Sequence, residues 1–309
     1  MNLKYEAVER AVLLADHILL LTDERSDGDT FGSSLAFSFY LQGLGKRVTH
    51  YATSPLVSMH DFMPGIDTVT RDRGFLADDS IDLVILFDSS REEVATRITS
   101  QLLSSHSLVV FDHHASNGGF ADVSIVDHTL SSTCEVVHRY MLDRDVSISP
   151  DMAKCLLTGV MTDTGMFENS ATSAASIETA SLLLSRGGSL KAVVKNIVQS
   201  SSLERLQLWG IVLSRLIHSP KHKFAITWVT REDMERTGAT HVDASELSDY
   251  MMANLDVDVL MFLKEREDGI KVSLRSRTMN MLPVAEAFEG GGGHPGACGF
   301  FLSGERVVG

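Results

Sequence analysis

The first half of the chain alternates short continuous apolar runs with stretches of helical periodicity. His17–Thr22 (HILLLT) reads as a buried strand, and Gly32–Leu44 then carries apolar residues at helical spacing. Segments 48–53, 81–88 (IDLVILFD), 107–114 (SLVVFDHH) and 123–127 read as further strands. Residues 131–142 (SSTCEVVHRYML) read as a helix with Ser and Thr placed to cap it. Strands without polar interruptions, alternating with helices, predict a parallel α/β sheet covered on both faces.

The pattern changes after Arg186. A Gly-Gly break leads into a long helical stretch, and segments 223–230, 257–265, 269–276 and 297–302 then read as strands, with helices at 243–254 and 282–289. The expected organisation is an α/β domain at 1–188, a helical linker at 189–212 and a smaller mixed α/β domain at 213–309.

Composition narrows the class. At 309 residues the chain is long enough for two cores, and 44% hydrophobic with 22% charged residues is an ordinary globular balance. No apolar run approaches the length of a membrane span, and the first ten residues lack a signal-type apolar core, so a cytoplasmic protein is expected. The three cysteines, Cys134, Cys155 and Cys298, form no C-x-x-C pair, which argues against a disulfide framework or a thiolate zinc site. A net charge of -14 is a poor match for long duplex nucleic acid, whose binding rests on phosphate neutralisation. A short phosphorylated ligand remains compatible if cations or local Arg and His residues supply positive charge.

The chemistry lies in where acids and histidines fall. Asp27 and Asp29 follow the first strand, Asp88 ends the strand at 81–88, and Asp112, His113 and His114 end that at 107–114. Asp163 sits in TGVMTDTGMF. In open parallel sheets ligands bind outside the carboxyl ends of the strands, so these positions are expected to converge. Each alone has an ordinary explanation as a turn, a cap or a surface pair. Together they form a carboxylate cluster that needs counter-charge, and oxygen ligands with an imidazole suit Mn²⁺ or Mg²⁺. Two such ions, about 3.5–4 Å apart around a bridging carboxylate such as Asp88, suit phosphoryl transfer.

SDGDTFGSS, LFDSS, VVFDHHASN and TGVMTDTGMF resemble, in order, the four motifs of the DHH phosphoesterase superfamily. GGGGHPGACGF resembles the signature of its DHH-associated substrate-binding domain, and LSSTCEVVHRYM and KVSLRSR are similar to the nano-RNase and pAp-phosphatase branch. The resemblance implies that Asp27 and Asp88 hold one ion, and that Asp29, Asp88, His113 and Asp163 hold the other. It implies that His114 faces the scissile phosphate and that Asp112 orients a histidine. Asn117, Ser131 and Ser132 would contact substrate, and Arg275, Gly292, Gly293 and His294 would hold a terminal phosphate.

One position departs from the family pattern. Asp23 stands where the family has the histidine that completes the first ion's ligands, so the site would survive with a harder ligand set or be weakened. The implied activity is two-metal hydrolysis of short oligonucleotides or of 3'-phosphoadenosine 5'-phosphate, in a cleft between the domains. The alternatives are a dinucleotide phosphodiesterase or polyphosphatase, or a nucleotide-binding protein with a degraded site. The resemblance also allows a homodimer.

Overall fold

The computed structural model describes residues 3–22, 26–56, 58–198 and 202–307. The chain forms two compact units, Met1–Ser200 and Ser201–Gly309. The helical stretch read as a linker is thus shared between them. Helix α7 (Leu190–Val193), extended by a π-turn to Val198, belongs to the first unit, and α8 (Leu203–Ser214) opens the second.

The first unit is built on six strands: β1 (His17–Thr22), β2 (Arg47–Ala52), β3 (Val69–Thr70), β4 (Leu83–Phe87), β5 (Ser107–Asp112) and β6 (Val123–Val126). They lie in the order β3-β2-β1-β4-β5-β6, and every pairing is parallel. Alternate residues of the central strands feed two cores. Ile18, Leu20, Ile85, Phe87, Val109 and Phe111 pack on the face that carries α2 (Gly28–Gly43), α4 (Thr133–Asp143) and α5 (Pro150–Asp163). Leu19, Leu21, Val84, Leu86 and Val110 pack on the opposite face with α3 (Glu92–Thr99). Two apolar faces explain why these strands read as unbroken hydrophobic runs. Helices α1 (Leu3–Leu14) and α6 (Ala174–Ser185) complete this unit.

Helix α2 starts at Gly28, four residues before the expected Gly32. The reason is its cap: the Asp27 side chain accepts from the backbone N–H groups of Asp29 and Thr30, satisfying donors that would otherwise be orphaned.

In the second unit six strands run β11-β12-β10-β9-β8-β7. They are β7 (Ile217–Ser219), β8 (Phe224–Val229), β9 (Val259–Glu265), β10 (Gly269–Ser276), β11 (Gly292–His294) and β12 (Ala297–Ser303). Pairings are antiparallel except β8 with β9, which are joined through α9 (Arg231–Thr237) and α10 (His241–Asn254). Leu208 and Val212 of α8 and Leu247 and Met251 of α10 close a core over one face of the sheet. A short helix, α11 (Leu282–Glu286), packs by Ala285 on the other. Among the described residues, no helix is long and apolar enough to cross a membrane.

Candidate metal centre

In the first sheet, β1 has β2 on one side and β4 on the other, so the strand order reverses between β1 and β4. The crevice beyond such a reversal is where open α/β sheets place ligands. Asp27 follows β1, Asp88 follows β4, and Asp112, His113 and His114 close β5. Asp163 arrives differently: it is the last residue of α5 rather than the end of a strand.

Helix α5 reaches the site because it runs very close to α2. A Cβ on Gly159 would lie 2.2 Å from Cys134 Sγ and 2.6 Å from Asp29 Oδ1, so only glycine permits this approach. Asp29 itself is fully buried, and its carboxylate sits at the start of α4. Oδ2 accepts from the Thr133 N–H at 2.6 Å and Oδ1 from the Cys134 N–H at 2.8 Å. A helix N-terminus favours such an anion through its free N–H groups and its dipole. Asp88 adopts a left-handed backbone, φ 58°, uncommon for a residue with a side chain and found where the surrounding structure holds it. Two hydroxyls grip its carboxylate: Thr30 donates to Oδ2 at 2.6 Å and Thr133 to Oδ1 at 3.1 Å.

His113 points Nε2 at the acids, 3.1 Å from Asp163 Oδ2 and 3.8 Å from Asp88 Oδ1. Its Nδ1 lies 3.4 Å from the carbonyl oxygen of Leu130, the kind of outer contact that fixes the tautomer of a metal-ligating histidine. The ligating atoms of Asp29, His113 and Asp163 all lie within 4.8 Å of one another, as do those of Asp88, His113 and His114.

The electrostatics show strain in the bare cluster. Burial, then the charges of Asp163, Asp88 and Asp27, push the Asp29 carboxyl well above its ordinary range. Asp88 is pushed up to about 6, by burial first and by Asp27 and Asp163, against the opposing Thr30 hydrogen bond. Burial also raises Asp163, although His113 pulls it the other way. Carboxylates held this close resist full ionisation until a cation joins them. Donor type, convergence and the fixed histidine therefore fit a divalent, oxygen-preferring ion at Asp29, Asp88, His113 and Asp163. Asp27, the other implied ligand, shares a cavity of about 420 Å³ with Asp88, Asp163 and His114. Asp23 lies outside the described residues.

His114 is half-exposed on that cavity, with Nδ1 hydrogen-bonded to Asp112 Oδ1 at 2.7 Å. This bond is the main cause that raises its imidazole to about 9. Burial works to raise the Asp112 carboxyl, but hydrogen bonds from His114 and Asn117 outweigh it and hold the group below the usual range.

Three residues expected at the substrate also make hydrogen bonds within the protein. Asn117 donates from Nδ2 to Asp112 Oδ2 and to the Ser89 carbonyl, and its Oδ1 accepts from Gly119. Ser131 and Ser132 are buried: Ser131 donates to Glu135 Oε2, and Ser132 caps α4 by accepting from the Glu135 N–H. Ser89, Ser90 and Arg91 line the cavity and were not foreseen. Their signal was only adjacency to Asp88, as that of Thr30 was adjacency to Asp29. In the second unit, Arg275 and Gly292 line a separate cavity, whereas Gly293 and His294 are exposed and outside its lining.

A parallel sheet with a crevice of acids and histidine at its strand-order reversal defines a metal-dependent α/β domain, here followed by a second, mixed-sheet unit. The model of the DHH family, N-terminal domain, matches residues 17–160, and that of the DHHA1 domain matches 222–308. The chain belongs to the DHH family and joins both of these domains. It is 27% identical over 304 residues to a Thermus thermophilus protein named bifunctional oligoribonuclease and PAP phosphatase NrnA, covering 97% of this chain and 86% of that one. Identity to the Bacillus subtilis protein of the same name is 24%, covering 94% and 90%. Among solved structures, an exopolyphosphatase-related protein from Bacteroides fragilis superposes with a TM-score of 0.81 at 25% identity, covering 99% of this chain and 92% of that one.

Proposed function

We propose that the protein is a phosphoester hydrolase of the cytoplasm. It would release mononucleotides from short oligoribonucleotides, remove phosphate from 3'-phosphoadenosine 5'-phosphate, or do both. The observation that carries this reading is the convergence of Asp29, Asp88, His113 and Asp163 beside a histidine held by Asp112. The family membership and the names of its relatives support the substrate class.

Asp29, Asp88, His113 and Asp163 would hold one divalent cation, and Asp27 with Asp88 a second, with Asp23 in the place of the family's histidine. When bound, such cations, Mn²⁺ or Mg²⁺, supply Lewis-acid charge to the phosphoryl oxygens and make water a better nucleophile. His114, protonated at neutral pH, presents its free Nε2 as a donor to a phosphoryl oxygen while Asp112 holds Nδ1. Thr30 and Thr133 keep the Asp88 carboxylate in one orientation. Arg275 of the second unit would bind the terminal phosphate, as a planar fork suited to phosphate oxygens.

The test is turnover of an RNA of two to five nucleotides and of 3'-phosphoadenosine 5'-phosphate by purified protein with Mn²⁺. Mononucleotide or phosphate release is expected, and no turnover of either sinks the reading. A polyphosphate substrate is the second reading, favoured by the likeness to the exopolyphosphatase-related structure. Rates on polyphosphate above those on RNA would select it. Calorimetric titration with Mn²⁺ addresses Asp23: two tight sites favour catalysis, and one or none favours a nucleotide-binding protein with a degraded site.

A further inference from the structure

Helix α8 is apolar on two opposite sides. Leu208 and Val212, four residues apart, face the core of the second unit and are fully buried. Leu203, Leu206, Gly210 and Leu213 follow at spacings of three, four and three residues, which sets them in one stripe on the other side. The three leucines are 65%, 53% and 36% exposed, and nothing lies within 4 Å of where a Gly210 Cβ would stand. A cavity of about 540 Å³ lies over Gly210, with Gln207 and Ser214 in its wall. A helix apolar all round is expected to be covered all round.

Alternating spacings of three and four are those of the seam by which two helices pack side by side. This stripe fits a reversed copy of itself. With a two-fold axis at the level of Leu208, Leu206 of one helix stands opposite Gly210 of the other, and Leu203 opposite Leu213. A large side chain thus meets a gap twice, and leucine meets leucine twice. A parallel copy would crowd Leu206 against Leu206 and leave glycine against glycine. Reversal also sets the oppositely charged helix ends side by side. Trp209, one turn before Leu213, flanks the stripe with its ring centroid 4.9 Å from that of Tyr250, and aromatic residues are enriched where chains meet.

We propose that α8 binds a second copy of this chain, antiparallel along this stripe, with each Leu206 seated over the partner's Gly210. The contact is centred on one pair of helices, so it should bury about 1,200 Å² in total, the low end for specific interfaces, and the dimer should dissociate in the micromolar range. The assignment is independent of the hydrolytic reading.

Analytical ultracentrifugation of the full chain over about 1–100 μM tests it, and a monomer–dimer equilibrium is expected. Leu206→Glu and Gly210→Leu should each weaken the dimer about tenfold or more, the first by placing an unpaired charge in the seam and the second by filling the gap. The orientation has its own test. Leu203→Glu or Leu213→Lys alone should weaken the dimer, whereas the double variant should regain it, because each new carboxylate then faces a new ammonium on the other copy. The regained dimer should loosen as salt is added. In a parallel pair the same double variant sets like charges together and stays monomeric. A monomer throughout the concentration range overturns the proposal, and a lower melting temperature of Leu206→Glu in that case assigns the cover to the chain's own residues. A dimer indifferent to Leu206→Glu, or one that the double variant does not restore, overturns it as well.

Discussion

The backbone N–H of Thr133 donates to Oδ2 of Asp29 at 2.6 Å across 104 residues of sequence. That bond ties the start of α4 to the start of α2 at the acid cluster, and the bare Gly159 backbone leaves room for it. Gly159→Ala should therefore act on stability and on the site together. Its methyl meets Asp29 Oδ1 and Cys134 Sγ inside van der Waals distance, and overpacking of this kind costs about 1–3 kcal/mol. Thermal melts should show that loss, and Mn²⁺ titration a weakened site. Gly210→Ala in α8 is the control: a Cβ there meets nothing, and the helix should gain about 0.5–1 kcal/mol.

Asp112→Asn should impair His114 without removing it. With Asp112 present, the imidazole is raised to about 9, so its charged form persists at neutral pH and is lost as pH rises through that value. The amide removes the main cause of the shift. The alkaline limb of the pH–rate profile should then move toward the ordinary imidazole pKa of about 6.5, with activity at neutral pH down about 10–100-fold. An unmoved limb would mean that His114 does not set it.

Divalent cations should stabilise the first unit as well as activate it. Burial and mutual repulsion raise Asp29, Asp88 and Asp163, and a cation relieves both. At a free concentration of 100 times Kd the gain is about 2.7 kcal/mol per site. EDTA should lower the melting temperature and abolish turnover, and Mn²⁺ should restore both. Asp88→Asn should remove most of the Mn²⁺-dependent rise in melting temperature.

His50 sets an acid limit on stability. It is buried in β2, neither ring nitrogen has a hydrogen-bond partner among the described residues, and burial lowers its pKa to about 3. The unfolded chain binds this proton near pH 6.5, and the folded chain does so only near 3. The contribution is fully present above pH 6.5 and is lost as pH falls through that window, by about 1.4 kcal/mol per pH unit. Denaturant melts of His50→Leu between pH 4 and 7 should show a flatter dependence than the parent protein.

Much of the fold was legible because burial on two faces leaves an unmistakable mark. The strands at 17–22, 83–87, 107–112 and 269–276 were readable as apolar runs or alternations. Helix α5 was not, since its glycine and threonines serve close packing and the acid cluster rather than helical propensity. The acids and histidines of the site stood in motifs. The groups that hold them did not: Leu130 contributes a carbonyl, Thr133 a backbone N–H, and neither function has a residue-type signature. Asn117, Ser131 and Ser132 were marked by the family resemblance, but their hydrogen bonds to Asp112, to Glu135 and at the start of α4 had no signal in the sequence pattern.

The acid cluster draws Asp29 from the first helix after β1 and Asp163 from the last residue of α5, with Asp88 and His113 between. No shorter stretch of chain contains it. During synthesis a nascent chain therefore cannot assemble the ligand set until the ribosome has passed residue 163 and α5 has docked on α2. The acids and the histidine thus come together before the first unit, which runs on to Ser200, is complete, and a product that stops short of residue 163 carries its acids without that geometry.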